Sequence, residues 1–121
     1  MLFERVDQIN CSGADDGVLC LNSSDSGEAV DMFAPPGGSS VPVTDCAIAN
    51  DTVAGGYADG AVHTFSLLSG KFECSYRNNS SQASVGSIGF NNRGNVLAVA
   101  QGPLISLYKI SKPALATGEQ Q

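Results

Sequence analysis

The sequence predicts an all-β fold made of repeated, four-stranded antiparallel units. Three observations predict it: Asp-Gly pairs recur at a fixed spacing, short apolar runs alternate with turn signals, and no amphipathic helix of ten residues or more is visible. Asp16-Gly17 and Asp59-Gly60 lie 43 residues apart, and each pair is followed ten residues later by another glycine, Gly27 or Gly70. A fixed period of this length is typical of repeat architectures.

A third, weaker copy follows at the same spacing. A further step of 43 residues from Gly60 leads to the Gly102-Pro103 turn, where the aspartate is missing but the strand pattern continues. Ile105 then matches Val62, and Tyr108 matches Phe65. Turn-forming asparagines also precede the runs TVAGG and VLAVA, at nearly the same period. Together with the matches above, this indicates three copies of one unit.

The second copy contains a complete set of strands. TVAGG is a short apolar run between turns, as expected of a buried strand. In AVHTFSL the period-two rule places His63 and Phe65 on one face, with Val62 and Thr64 on the other. KFECSY alternates in the same way, and glycine, asparagine, aspartate and serine fill the connections. The strands are predicted near 43–48, 52–56, 61–66 and 71–76.

The other two copies are partial. The first begins part-way through a strand at 1–5 and continues with strands near 8–12, 18–22 and 29–33. The third has strands near 85–90, 96–100 and 104–110. The segment 34–42 is predicted to be a surface connection, and the polar, proline-interrupted segment 111–121 a disordered C-terminal tail.

Four antiparallel strands per 43 residues are typical of a blade of a β-propeller. We therefore predict a partial β-propeller of roughly two and three-quarter blades, at about 1–34, 43–78 and 84–110. Closed propellers have about four to eight blades, and a blade buries its faces only against its neighbours. The chain is thus expected to be a fragment, to complete a ring with a partner or a second copy, or to form a small stack with open ends. A start inside a strand favours the fragment.

The residues resemble the WD-repeat family. The resemblance is carried by VTDCAIANDTVAGGYADGAVHTFSLLSGK and SVGSIGFNNRGNVLAVAQGPLISLYKI, in which Phe65-Ser66 and Tyr108-Lys109 occupy the Trp-Asp position. The chain has no tryptophan and no Gly-His dipeptide before an inner strand, so the family's structural tetrad is not carried over intact. The resemblance implies a non-catalytic protein–protein interaction scaffold. It does not assign a subfamily.

The charge balance excludes several partner classes. Six basic and twelve acidic residues give a formal net charge of −6, which argues against direct nucleic-acid binding and against adhesion to anionic membranes. The start, MLFERVDQIN, lacks the basic flank and apolar core of a secretory signal. We therefore expect protein partners and an intracellular location, in the cytoplasm or the nucleus.

The four cysteines, Cys11, Cys20, Cys46 and Cys74, have no C-x-x-C spacing. Free, buried thiols in a reducing compartment are the favoured interpretation. A two-disulfide extracellular framework is the alternative that the sequence leaves open.

Motifs for catalysis or cofactor binding are missing from the sequence. His63, the single histidine, has Asp59 nearby but no second histidine to share a metal, so a packing or hydrogen-bonding role is predicted. No nucleophile elbow, P-loop or dinucleotide fingerprint is present. We therefore predict no enzyme activity, cofactor or metal.

Three residues are the predicted binding candidates. Tyr57 and Asp59 lie between the second and third strands of the second unit, and Arg77 follows its outer strand. Exposed tyrosine and arginine often anchor interfaces. The alternative function is a fragment of a catalytic propeller whose active residues lie outside this chain.

Overall fold

The computed structural model describes residues 9–110, apart from 24, 25, 27 and 36–39. These residues form ten strands in three antiparallel sheets, and none of them is helical. The predicted strand at 1–5 and the predicted tail at 111–121 lie outside the described residues. The strands are β1 (Ile9–Gly13), β2 (Leu19–Ser23), β3 (Ala29–Phe33), β4 (Val43–Ala49), β5 (Thr52–Tyr57), β6 (Val62–Ser66), β7 (Phe72–Tyr76), β8 (Ser87–Phe90), β9 (Val96–Gln101) and β10 (Leu104–Lys109).

Each sheet is an antiparallel meander of consecutive strands. The first contains β1-β2-β3, the second β4-β5-β6-β7, and the third β8-β9-β10. The strands β1, β2 and β3 begin 43 residues before β5, β6 and β7, so the first sheet contains the second to fourth strands of a unit. The predicted all-β fold and the predicted strand order are confirmed. The unit boundaries at 1–34, 43–78 and 84–110 stay predictions.

The Asp-Gly turns have the same geometry in the first two copies. Asp16 Oδ1 accepts a hydrogen bond from the Val18 amide at 3.1 Å, and Asp59 Oδ1 accepts one from the Ala61 amide at 3.0 Å. The following glycines both have positive φ, 86° at Gly17 and 89° at Gly60, a conformation that glycine adopts without steric cost. Each aspartate therefore caps its own turn, which explains why the pair recurs.

The second sheet lies between the other two, and its central strands β5 and β6 are buried. The strand β5 is buried along its whole length, because Val53 packs toward the first sheet and Ala54 toward the third. The strand β4 contacts both β1 and β8. One core cluster contains Leu19, Leu21, Phe33, Val53 and Phe65. The other contains Ala54, Val62, Val85, Ile88, Leu97, Val99 and Ile110.

Candidate interaction surfaces

Tyr57 is not an exposed loop residue. It is the last residue of β5, only 1% exposed, and its hydroxyl donates a hydrogen bond to the Gly17 carbonyl oxygen at 3.0 Å. Burial, with a smaller effect of Asp59, raises the pKa of Tyr57 to about 12. The prediction of an exposed tyrosine anchor was wrong. The alternation of β5 puts Tyr57 on the face of Val53, which packs against the first sheet.

Replacing Tyr57 with phenylalanine is expected to lower the free energy of unfolding by about 1–3 kcal/mol, because the Gly17 carbonyl loses a buried donor. Urea unfolding followed by circular dichroism measures the change. Tyr108→Phe, at a half-buried tyrosine between the second and third sheets, is the control and should stay within about 0.5 kcal/mol of the wild type. Equal losses in the two variants would contradict the assigned hydrogen bond.

Asp59 and Arg77 are brought together, 18 residues apart in sequence. Arg77 Nη2 donates to Asp59 Oδ2 at 3.0 Å, and Arg77 Nη1 donates to the Asp59 carbonyl oxygen at 2.9 Å. Their side chains are 40% and 52% exposed, so the pair remains accessible to a partner. Such exposed pairs contribute only about 0–1 kcal/mol to stability. Their role in binding stays a prediction.

The electrostatics of Asp59 follow from these contacts. Partial burial disfavours the charged carboxylate, but hydrogen bonds from the Ala61 amide and from Arg77 outweigh that effect. The net result lowers the pKa of Asp59 below its usual value. The carboxylate is therefore ionised and paired at neutral pH, which suits a turn cap rather than a general acid.

His63 has the packing and hydrogen-bonding environment that its sequence context predicts. Its Nδ1 lies 2.6 Å from Ser75 Oγ, the residue directly opposite on β7. Its ring meets Tyr57 edge-on at 4.9 Å and Phe72 at 6.0 Å between centroids. Burial, assisted by the charge of Arg77 and opposed by Asp59, lowers the pKa of His63.

Acidification below pH 6.5 is expected to destabilise the fold through His63. The unfolded histidine has a pKa of about 6.5 and the folded one a lower value, so the unfolded state binds more protons in between. This stability is present above about pH 6.5 and is lost as the pH falls toward the folded-state pKa. Urea midpoints at pH 7.5 and about 5.5 measure the loss, above the range in which carboxylates titrate. In the His63→Asn variant the difference between the urea midpoints at the two pH values should shrink. An unchanged difference would show that another group causes the loss of stability.

The third sheet has one face that no other described element covers, which we call the open face. Leu97 and Val99 pack toward the second sheet, so alternation turns Ala98 and Ala100 away from it. Ile105 and Leu107 are 73% and 71% exposed. The open face holds a depression of about 240 Å³. It comprises Ser87, Gly89, Ala98, Ala100, Ile105 and Leu107.

Within the part of the chain that the structure describes, no group of three or more histidine, cysteine or acidic side chains is placed to hold a metal ion. The described residues also include no helix long and apolar enough to cross a membrane. All four cysteines are free thiols.

Sequence comparison finds no matching family model and no matching curated protein. Solved structures do match. The C-terminal WD40 domain of Sif2 superposes with a TM-score of 0.70 over 89% of this chain, at 20% identity. The chain has the fold of a partial WD40 propeller. A chain of the mitotic checkpoint complex gives 0.72 over 84% at 13% identity, and the computationally designed Ika8 protein gives 0.69 over 86% at 23% identity.

The partial propeller spans about a third of each of these structures, 30% to 32% of their length. Its three sheets are thus successive blades, numbered here 1 to 3 in chain order. Phe65 of blade 2 is 1% exposed and stacks on Phe33 of blade 1 at 5.2 Å. These two aromatic rings therefore fill the space between the blades.

Proposed function

We propose that the chain is a non-catalytic protein–protein interaction scaffold, either part of a larger WD40 propeller or a piece that a partner chain completes. The fold supports this proposal, since one structural neighbour belongs to a multi-protein complex. The net charge of −6 favours protein partners over nucleic acid or anionic membrane. The four free thiols suit a reducing compartment, the cytoplasm or the nucleus.

The open face of blade 3 is the observation that carries the proposal. Blade 1 is covered by blade 2, and blade 2 by blade 3, through the same type of apolar face. Blade 3 presents Ile105 and Leu107 to solvent beside small residues. Contiguous exposed apolar surface on a soluble domain marks an interaction site. Asp59 and Arg77, the exposed ion pair of blade 2, are proposed as additional polar contacts to a partner, whereas buried Tyr57 is not one.

The first test is the association state of the isolated chain. Sedimentation should show concentration-dependent association, which the double variant Ile105→Lys, Leu107→Lys abolishes by placing charge on the open face. Leu68→Lys is the matched control, because Leu68 is 84% exposed in the turn after β6 and outside the open face. A wild-type chain that sediments as a sharp monomer and melts cooperatively would contradict the proposal.

The second test addresses the scaffold role directly. Affinity capture with the wild-type chain and with the two lysine variants as baits should recover a partner that the open-face variant loses and the Leu68→Lys variant keeps. A partner bound equally by all three baits would place binding elsewhere. Turnover of a small-molecule substrate by the captured complex, lost on substitution of residues in the chain that completes the ring, would instead favour a catalytic propeller whose active residues lie outside this chain.

A further inference from the structure

Blades 1 and 2 are in contact where β1 meets the start of β4. The Val43 amide donates a hydrogen bond to the Ala14 carbonyl oxygen at 3.0 Å. At Gly13 a Cβ atom would overlap the Val43 side chain, so that side chain packs directly on the Gly13 backbone. Farther along the same two strands, each blade contributes one cysteine, Cys11 from β1 and Cys46 from β4.

These two thiols face each other across the blade interface. Both side chains pack against the cluster of Leu19, Phe33 and Phe65, and each thiol is the neighbour that most affects the pKa of the other. Both are half-buried, so a small oxidant can reach them. A disulfide requires Cα atoms within about 7 Å, and the close approach of the two strands favours such a distance.

The other two cysteines have different surroundings. Cys20 lies between Leu19 and Leu21 on β2, and alternation turns it away from blade 2. Cys74 lies on β7, the outer strand of blade 2. The chain therefore contains one facing pair and two isolated thiols, which serve as internal controls.

The facing pair is chemically asymmetric. The hydrogen bond from Cys46 lowers the pKa of Cys11, whereas the same contact and burial raise the pKa of Cys46. Asp45 opposes ionisation of both thiols. Since the thiolate is the reactive form, the proposed oxidation starts at Cys11, the thiol whose pKa this contact lowers.

We propose that Cys11 and Cys46 form a peroxide-sensitive dithiol that closes into a disulfide between blades 1 and 2. The Cys11 thiolate attacks one oxygen of hydrogen peroxide, breaking the O–O bond, and becomes a sulfenic acid while the hydroxide released takes up a proton. The Cys46 sulfur then attacks the Cys11 sulfur, the S–OH bond breaks, and water leaves with the thiol proton. Two thiols are oxidised by two electrons, and one peroxide is reduced to two waters.

The disulfide would change how the blades separate. Blade 1 is held to blade 2 by packing and a few hydrogen bonds, so its detachment is a local opening. A covalent link between β1 and β4 blocks that opening. Oxidation would thus hold blade 1 against blade 2 without altering the open face of blade 3.

The test uses the full-length chain treated with one equivalent of hydrogen peroxide. Cleavage on the amino side of aspartate places each of the four cysteines in a separate peptide, so linked pairs can be identified by mass spectrometry. We expect the Cys11 peptide joined to the Cys46 peptide, two remaining thiols, and slower hydrogen exchange in β1 and β2. The variant Cys20→Ser, Cys74→Ser should form the same link, and Cys46→Ser should form none.

A second measurement keeps the proposal testable if a variant folds poorly. In glutathione redox buffers, the Cys20→Ser, Cys74→Ser chain should favour the disulfide at least about tenfold more when folded than when unfolded in urea, because folding holds the thiols together. Equal values in the two states would overturn the proposal. So would a dominant pair other than Cys11–Cys46, or oxidation that yields only links between chains.

Discussion

Replacing Phe65 with alanine is expected to lower the free energy of unfolding by about 3–5 kcal/mol, the largest loss for any single truncation in the interface between blades 1 and 2. Phe65 is 1% exposed, and its ring stacks on Phe33 at 5.2 Å and meets Phe72 edge-on at 5.9 Å. Its removal leaves a cavity between two sheets that are each held in place by their own backbone hydrogen bonds. The two sheets therefore cannot move together to fill the cavity. Urea unfolding with a two-state fit measures the loss.

His63→Ala is the control for this truncation, since His63 lies two residues earlier on the same face of β6. The ring of His63 is half-buried and forms a hydrogen bond with Ser75 on the outer strand β7. We expect the loss at Phe65 to exceed the loss at His63 by about 2–4 kcal/mol at pH 7.5. Equal shifts of the two urea midpoints would show that the stacked rings of Phe65 and Phe33 are not the main source of stability in this interface.

The sequence period predicted the fold because each unit repeats the same local chemistry. Asp16 and Asp59 cap equivalent turns, and a period of 43 residues also describes contacts between blades. Asp45 Oδ2 accepts from the Ile88 amide at 2.9 Å, and Asn50 Nδ2 donates to the Arg93 carbonyl at 2.6 Å, each across 43 residues. Equivalent positions of neighbouring blades therefore meet where the blades stack.

The candidate site was only partly predictable. The Asp59–Arg77 pair joins a loop to the end of an outer strand, and a sequence pattern does not give that distance. The sequence predicts that the second strand of this unit ends at residue 56 and leaves Tyr57 in the loop, yet the alternation of β5 continues through Tyr57 and buries its ring. The facing cysteines depend on how two sheets stack, which a period-two pattern within one strand does not specify.

Replacing Gly56 with valine is expected to cost about 3 kcal/mol or more, because blades 2 and 3 lack room for a side chain there. Gly56 is buried in β5, and a Cβ atom at this position would meet Val85 side-chain carbons, Cβ at 3.0 Å among them, and Ile88 Cγ2 at 3.4 Å. Val85 is itself 1% exposed and its amide donates a hydrogen bond to the Tyr57 carbonyl, so it cannot move aside freely. The free energy of unfolding, from urea titration, should fall together with hydrogen-exchange protection in β8 and β9.

Gly89→Val is the matched control, since Gly89 is also a strand glycine but no heavy atom lies within 4 Å of a Cβ built there. Valine suits an extended backbone, so this variant should keep or slightly raise the stability. The two glycines differ in what covers them: Gly56 faces blade 3, whereas Gly89 lies on the open face of blade 3 itself. A loss at Gly89 as large as that at Gly56 would mean that another part of the chain already covers the open face, and the proposed partner would then have no surface to occupy.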